Sequence, residues 1–276
     1  MKANNTTLFL LIIFSLCCSQ SCSKTSSSGN QSNNNTPTGP APTNDWEFEA
    51  TPIWTEDFST DGAPDAANWS YDIGGNGWGN NELEYYTNGL NATISGGILK
   101  ITAKKETYSG SNYTSARILS KGKFSFKYGK VEVRAKLPKG GGTWPAFWML
   151  GDNIDAVGWP ACGEVDILEE VGNTLNLNHS SLHSPGRSGN TPDTATVNVP
   201  NSTEEFHVYT AEWSADSIKF SVDGKLFYTF ANSDKFPFNK NFFLIINCAI
   251  GGGFGGAIDP NFTSSTFEID YVRVYN

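Results

Sequence analysis

The chain has 276 residues, 13% of them aromatic, and a formal net charge of -9. This length and aromatic content are sufficient for one sizeable hydrophobic core, so we expect one folded domain. The negative charge argues against nucleic acid and other polyanions as partners.

The beginning of the chain resembles an export signal. An apolar stretch over residues 8–16 is too short to span a bilayer but suits the central region of a secretory signal peptide, which we place at residues 1–22. The sequence SCSK at 21–24 resembles bacterial lipoprotein signals, in which the cysteine becomes the lipidated first residue of the mature protein. We therefore expect an exported protein that is anchored through Cys22 to the outer membrane or the cell surface.

Two alternatives remain for this segment. Lipidation at Cys17 or Cys18 is one, because Gln20 and Ser21 are not the ideal residues before a lipidated cysteine. The other is an ordinary cleaved signal with incidental cysteines, which would give a secreted protein.

Residues 23–44, SKTSSSGNQSNNNTPTGPAPTN, contain no aliphatic side chain larger than that of alanine. Such a segment cannot offset its ordering entropy by burial, so we predict a disordered linker. It would tether a globular domain, residues 45–276, with the lipid anchor as the only membrane contact. We expect this domain to be monomeric.

Short runs rich in β-branched and aromatic residues alternate with Gly, Asn, Asp and Pro along the rest of the chain. Examples are GKFSFKYGKVEVRAKLP at 122–138 and STFEIDYVRVYN at 265–276. This pattern is typical of strands and tight turns, and Asp223-Gly224 predicts a hairpin. We predict an all-β fold, a two-sheet β-sandwich or jelly roll with a concave face available for a ligand.

The run GEVDILEEVG at 163–172 places four carboxylates within a strand-like apolar segment. Residues two apart share one face of a strand, so Glu164 and Asp166 point the same way. Glu169 has the opposite parity. A β-bulge near residues 167–168 would return Glu169 to the polar face and move Glu170 towards water at the strand end, although parity alone does not choose between the two registers.

Retaining glycosidases supply a chemical reason for such a cluster. They use two carboxyl groups about 5–5.5 Å apart, one as nucleophile and one as proton donor. Like charges this close resist joint ionisation, so one group keeps its proton near neutral pH. A solvated acidic strand edge or a cation site is the alternative for these residues taken alone.

GEVDILE resembles the Glu-x-Asp-x-x-Glu signature of glycoside hydrolase family 16, in the bulged form of its laminarinases, the endo-β-1,3-glucanases. Other segments resemble that family in order and spacing: GWGNNELEYYT (77–87), SARILSKGKFSFKYGKVEVRAKLP (115–138), GTWPAFWMLG (142–151), FHVYTAEWS (206–214) and FEIDYVRVYN (267–276). The resemblance implies a jelly roll that hydrolyses internal β-glucan bonds with retention and without a catalytic cofactor. It implies Glu164 as nucleophile, Glu169 as acid/base and Asp166 as the assisting carboxylate.

The resemblance also implies substrate-binding residues along the cleft. They are Trp144, Trp148, Trp159, Arg117, Asn80 or Asn81, and His183. Tryptophan faces suit the flat C–H faces of glucose rings, although tryptophan is also common in sandwich cores. For His183, a hydrogen bond near the reacting sugar and a structural loop role are equally open.

A structural calcium site is the remaining expectation from the family, with Asp57, Gly97 and Asp270 near the ion. Cys162 and Cys248 could form a disulfide in an exported protein or remain buried thiols, and the sequence does not decide between these states.

Three other functions stay open. A mixed-linkage β-1,3-1,4-glucanase is one, although such enzymes usually lack the bulge residue. Another is an agarase or carrageenase, although sulfated galactans favour a basic cleft. The last is a non-catalytic carbohydrate-binding jelly roll.

Overall fold

Strands dominate residues 47–276, the part of the chain described in this computed structural model. The strands are β1 (Trp54–Glu56), β2 (Ser70–Asp72), β3 (Glu84–Tyr86), β4 (Ala92–Ser95), β5 (Ile98–Tyr108), β6 (Ser111–Ser115), β7 (Arg117–Leu119), β8 (Gly129–Lys136), β9 (Thr143–Gly151), β10 (Glu164–Glu169), β11 (Leu177–His183), β12 (Asp193–Asn198), β13 (His207–Trp213), β14 (Ser217–Val222), β15 (Lys225–Ala231), β16 (Phe242–Ile250) and β17 (Ser264–Tyr275). Two four-residue helical turns, α1 (Ile154–Val157) and α2 (Gly252–Gly255), interrupt them. The predicted signal and linker lie outside the described residues.

The strands form two sheets, as the sequence predicted. The larger sheet has ten strands in the order β15-β14-β13-β8-β17-β5-β6-β3, with β1 also paired to β17 and β4 to β5. The smaller sheet has seven strands in the order β12-β11-β10-β9-β16-β7-β2. Every pairing between these strands is antiparallel except that of β3 with β6.

The burial pattern of each strand shows which faces are covered. In β8, Val131, Val133 and Ala135 are fully buried, while the alternate residues are partly exposed. That period of two places one face of the strand on the core and the other towards solvent. In β16 every residue is buried, because this strand lies inside the smaller sheet with its second face covered as well.

The core between the sheets is a single large apolar cluster. Trp213 belongs to it: its ring is 1% exposed, and its Nε1 donates to the backbone oxygen of Phe238 at 3.0 Å. The predicted hairpin is present, since Asp223 and Gly224 join β14 and β15 with φ angles of 49° and 72°. Left-handed angles at both positions suit the Asp-Gly pair.

The two cysteines of the domain are free and buried, so Cys162 and Cys248 do not pair. Among the described residues, no helix is long and apolar enough to cross a membrane.

Candidate active site

A β-bulge in β10 brings the acidic residues onto one face. Asp166 lies opposite Trp148 of β9, and Leu168 lies opposite Phe147, so Ile167 is an extra residue between two successive pairs. Ile167 and Leu168 are both buried in the core. The odd-numbered Glu169 is thereby returned to the face of Glu164, in the bulged register that the family resemblance implied.

Each of the two terminal acids of the strand accepts a hydrogen bond from a tryptophan. Trp159 Nε1 donates to Glu164 Oε2 at 2.8 Å, and Trp144 Nε1 donates to Glu169 Oε1 at 2.9 Å. These donors fix the orientation of the carboxyl groups at the two ends of the acidic face.

His183 faces the other two carboxylates from the neighbouring strand β11. Its Nε2 lies 3.2 Å from Asp166 Oδ2 and 3.7 Å from Glu164 Oε1. Its Nδ1 accepts the Gly189 backbone N–H at 3.1 Å, so a neutral His183 carries its proton on Nε2, where it faces the acids. One donor atom from each of Glu164, Asp166 and His183 lies within 4.8 Å of the others.

Burial raises the pKa values of all three acids. The pKa of Glu164 rises to about 8 through loss of solvation and through the charge of Asp166. The pKa of Asp166 also rises to about 8 through burial, with a hydrogen bond from Glu164 opposing the rise. Burial and then the charge of Asp166 hold the pKa of Glu169 well above its usual range.

The acids lie at the floor of a cleft of about 680 Å³. Trp144, Trp148 and Trp159 line it, as predicted, and the Trp159 side chain is 48% exposed. A volume of this order accommodates a small-molecule or oligosaccharide ligand. Flat aromatic faces beside buried carboxyl groups suit a sugar substrate.

Arg117 also lines the cleft and is fixed by three contacts. Its Nε lies 2.9 Å from Asp72 Oδ2, and its guanidinium lies over the rings of Trp148 at 4.7 Å and Trp78 at 5.2 Å. Stacking and ion pairing hold the remaining guanidinium donors beside the cleft, where a hydroxyl group can accept from them.

The structure distinguishes between the two asparagines that the sequence analysis left open. Asn80 lines the cleft, and its Nδ2 donates to Glu82 Oε1 at 3.0 Å. Asn81 is exposed and is not among the residues that line the cleft. Its φ of 60° indicates a turn residue, for which asparagine is well suited.

Sequence reasoning missed several cleft residues, among them three with aromatic or acidic side chains. Phe254 stands in α2, within the run GGGFGG, and its ring meets Trp144 edge to face at 5.3 Å. Trp78 and Glu82 belong to the segment GWGNNELEYYT and also line the cleft. Two sequence signals could have found them. Phe254 is a single aromatic residue among glycines, and Glu82 directly follows the two candidate asparagines.

The expectation for Glu170 was wrong. This residue is 1% exposed, and its Oε1 accepts from the Asn176 backbone N–H at 3.1 Å and from Ser202 Oγ at 2.9 Å. The residue that follows β10 is therefore held inside the fold instead of reaching water. Burial raises the pKa of Glu170 as well.

The calcium expectation was tested against the side chains around its three residues. The β17 register brings Asp270 close to Gly97 and Asp57 in the sheet. However, Asp57 Oδ1 accepts from Arg273 at 3.0 Å, and Asp270 Oδ2 accepts from Arg134 at 2.5 Å. Both carboxylates therefore pair with guanidinium groups, and the calcium site stays a prediction.

Comparison with known proteins agrees with the geometry. The sequence profile of Glycosyl hydrolases family 16 matches residues 78–273. The chain is 41% identical over 247 residues to a beta-glucanase of Rhodothermus marinus, covering 83% of this chain and 85% of that protein.

Solved structures give the same result. A laminarinase from Flavobacterium sp. UMI-01 is similar with a TM-score of 0.77 and 44% identity, over 82% of this chain and 100% of that one. The catalytic domain of an endo-1,3-beta-glucanase (laminarinase) from Thermotoga petrophila RKU-1 gives a TM-score of 0.79 and 40% identity, over 83% and 98%. The match covers the bulged acidic strand and the tryptophan-lined cleft, and this chain belongs to glycosyl hydrolase family 16.

Proposed function

We propose that this protein is a retaining endo-β-1,3-glucanase that hydrolyses laminarin-type β-glucans. The observation that carries this proposal is the bulged strand β10, which presents Glu164, Asp166 and Glu169 together on the floor of a tryptophan-lined cleft. The similarity to a beta-glucanase and to laminarinases over most of the chain supports the substrate class.

The first step divides two roles between Glu164 and Glu169. Glu169 keeps its proton because it is buried and repelled by the two neighbouring acids, so it protonates the oxygen of the leaving sugar. The Glu164 carboxylate attacks the anomeric carbon from the opposite face and forms a glycosyl ester as the glycosidic bond breaks.

Asp166 assists the nucleophile. It interacts electrostatically with Glu164, so the two groups titrate together and Asp166 helps to orient the Glu164 carboxyl. His183 Nε2 lies beside both groups and limits the charge that builds up between them.

The second step reverses the proton transfer. Glu169, now a carboxylate, accepts a proton from water, and the resulting nucleophile attacks the anomeric carbon. The ester bond to Glu164 breaks, and the sugar leaves with its original configuration.

Product analysis tests the function. The protein is incubated with laminarin, barley-type mixed-linkage glucan and agarose in parallel. A ladder of short β-1,3 oligosaccharides from laminarin, with slower release from the other polymers, is the expected result. Cleavage of agarose alone would overturn the substrate, and binding without cleavage of any polymer would favour a non-catalytic binding module.

We also propose that the protein is exported and anchored through Cys22. The signal-like residues 1–22 and the polar residues 23–44 support this proposal on sequence grounds. A tethered surface enzyme suits a polymer too large to enter the cell.

A further inference from the structure

A second pair of acids lies next to the cleft, outside the catalytic strand. Glu82 is 7% exposed and lines the cleft, and Glu84 is fully buried at the start of β3. Nothing in the catalytic steps uses either residue, so two buried carboxyl groups two positions apart require an explanation.

The hydrogen bonds around Glu82 and Glu84 indicate that one of the two carboxyl groups is protonated. Glu82 accepts from Asn80 Nδ2 at 3.0 Å and from the Tyr86 hydroxyl at 2.8 Å. Glu84 Oε2 accepts from the Ile250 backbone N–H at 2.6 Å, and its Oε1 is buried without a donor. The Glu84 side chain also interacts with the Glu82 carboxyl. Two ionised carboxylates cannot bond to each other, so Glu84, which has fewer donors, carries the proton.

The charged and titratable groups around Glu84 agree with this assignment. Burial and the nearby Glu82 charge raise its pKa well above the usual range. Tyr86 and Cys248 also lie near Glu84, and burial raises the pKa values of both above those of free side chains. Arg117 is a cation close enough to act on Tyr86, and its Nε pairs with Asp72 Oδ2 at 2.9 Å.

The acid pair is connected to the wall of the cleft. Asn247 Nδ2 donates to the Tyr86 hydroxyl at 3.1 Å, and Trp148 Nε1 donates to Asn247 Oδ1 at 2.7 Å. Each bond fixes the direction of the next, so the network reaches from Glu82 to the Trp148 ring, over which Arg117 is stacked.

We propose that Glu84 is a positioning residue for the glucan cleft: as a neutral carboxylic acid it donates a hydrogen bond to Glu82, and this acid pair holds Asn80 directly and Trp148 through Tyr86 and Asn247. This inference rests on the proposed function for its effect on glucan binding. It does not depend on that function for the protonation state of Glu84.

Two substitutions at Glu84 separate the donor role from simple packing. In Glu84→Gln the amide donates to Glu82 and its oxygen accepts from Ile250, so KM for laminarin stays within about twofold of the wild-type value. Glu84→Leu removes both bonds, and KM rises about tenfold while kcat changes by less than about threefold. A rise in KM for Glu84→Gln equal to that for Glu84→Leu would overturn the proposal.

A second readout is independent of the substrate. In the unfolded chain Glu84 ionises near pH 4.3, whereas the folded protein retains its proton to higher pH. Wild-type stability therefore falls relative to that of Glu84→Gln as the pH rises above about 4. The difference in thermal unfolding midpoint between the two proteins should grow from pH 4 to pH 8.

The matched control is Glu212→Gln, the same chemical change at a partly exposed position of β13. It should not reproduce the growing difference. A difference for Glu84→Gln that is constant with pH would overturn the shared-proton assignment. If wild-type protein fails to cleave laminarin, the proposed function is wrong, and the stability series still decides the protonation of Glu84.

Discussion

Glu164 and Glu169 are chemically identical side chains that the structure places in different surroundings. Glu164 has Trp159 as a donor, His183 close by and the charge of Asp166 beside it. Glu169 has the donor Trp144 and two repelling acids. In the proposed mechanism, this asymmetry lets one group attack as a carboxylate while the other delivers a proton.

Small-nucleophile rescue tests this division of roles at the level of single residues. Glu164→Gly and Glu169→Gly should each lose at least about 1,000-fold in kcat on laminarin without unfolding. The rescue uses an activated aryl β-laminaribioside and added azide. Glu164→Gly should then give the α-glycosyl azide, and Glu169→Gly should give the β-glycosyl azide. The reverse pattern of products would exchange the two roles.

Substitution of Asp166 tests the charge coupling. The negative charge of Asp166 raises the pKa values of Glu164 and Glu169. Removing that charge in Asp166→Asn lowers both, so both limbs of the pH profile of kcat/KM should move to lower pH. The acidic limb reports ionisation of the nucleophile, and the alkaline limb reports loss of the acid's proton.

A profile of Asp166→Asn that keeps both limbs in place would show that Asp166 does not set these pKa values. Ser181→Ala is the control, because Ser181 lines the same cleft and lies opposite Asp166 in β11 without a charge. Its profile should keep the wild-type limbs.

Sequence reasoning predicted the common location of the three acids better than it predicted their surroundings. The alternation of side chains along a strand, with one bulge, is enough to place Glu164, Asp166 and Glu169 on one face. The burial of Glu170 was not predictable from parity, because it depends on Ser202 and Asn176, which are distant in sequence from the strand or lie in its following loop. Long-range partners of this kind are visible only in the folded chain.

At the scale of elements, the end of β10 depends on a close approach of backbones. Gly172 follows the strand, and its N–H donates to the Thr143 backbone oxygen at 2.8 Å. A Cβ on Gly172 would stand 1.9 Å from the Gly140 backbone oxygen. Glycine is therefore required where β10 passes the start of β9.

Gly172→Ala should destabilise the fold by about 2 kcal/mol or more, because backbone atoms must move to admit the methyl group. Thermal and denaturant unfolding measure the change. Gly253→Ala is the matched control, since the nearest atom to its added Cβ would be 3.6 Å away. Equal stability of the two variants would contradict the packing at the end of β10.

The bulge is the element that the sequence could indicate but not decide. Both registers of β10 left one glutamate on an apolar face. Pairing with β9 resolves this ambiguity, because Ile167 and Leu168 share the space opposite Phe147 and fill the core together. Packing against the neighbouring strand thus determines the register of β10, and the alternation of residues along one strand cannot predict it.

At the scale of the whole molecule, the two sheets contribute to different parts of the structure, the core and the cleft. The larger sheet supplies one wall of the core. The smaller sheet carries the acids on β10, two tryptophans on β9 and Arg117 on β7, with β16 between β9 and β7. The all-β fold followed from strand and turn signals along the chain. The order of strands did not, because neighbours such as β9 and β16 are nearly 100 residues apart.

The proposed anchor is also a property of the whole protein. In a bacterial host, radiolabelled palmitate should enter the wild-type protein, which should fractionate with membranes. Cys22→Ser should abolish both results, while Cys17→Ser and Cys18→Ser should retain them. Labelling that is lost in one of these two variants instead would move the anchor to that cysteine.

The central claim is that Glu164 and Glu169 hydrolyse β-glucan by double displacement, and the configuration of the first product tests it most directly. Proton NMR of laminarin hydrolysis, recorded within the first minutes, should show the β-anomer of the new reducing end before the α-anomer appears by mutarotation. Initial appearance of the α-anomer would contradict the account, because it would require a single displacement by water.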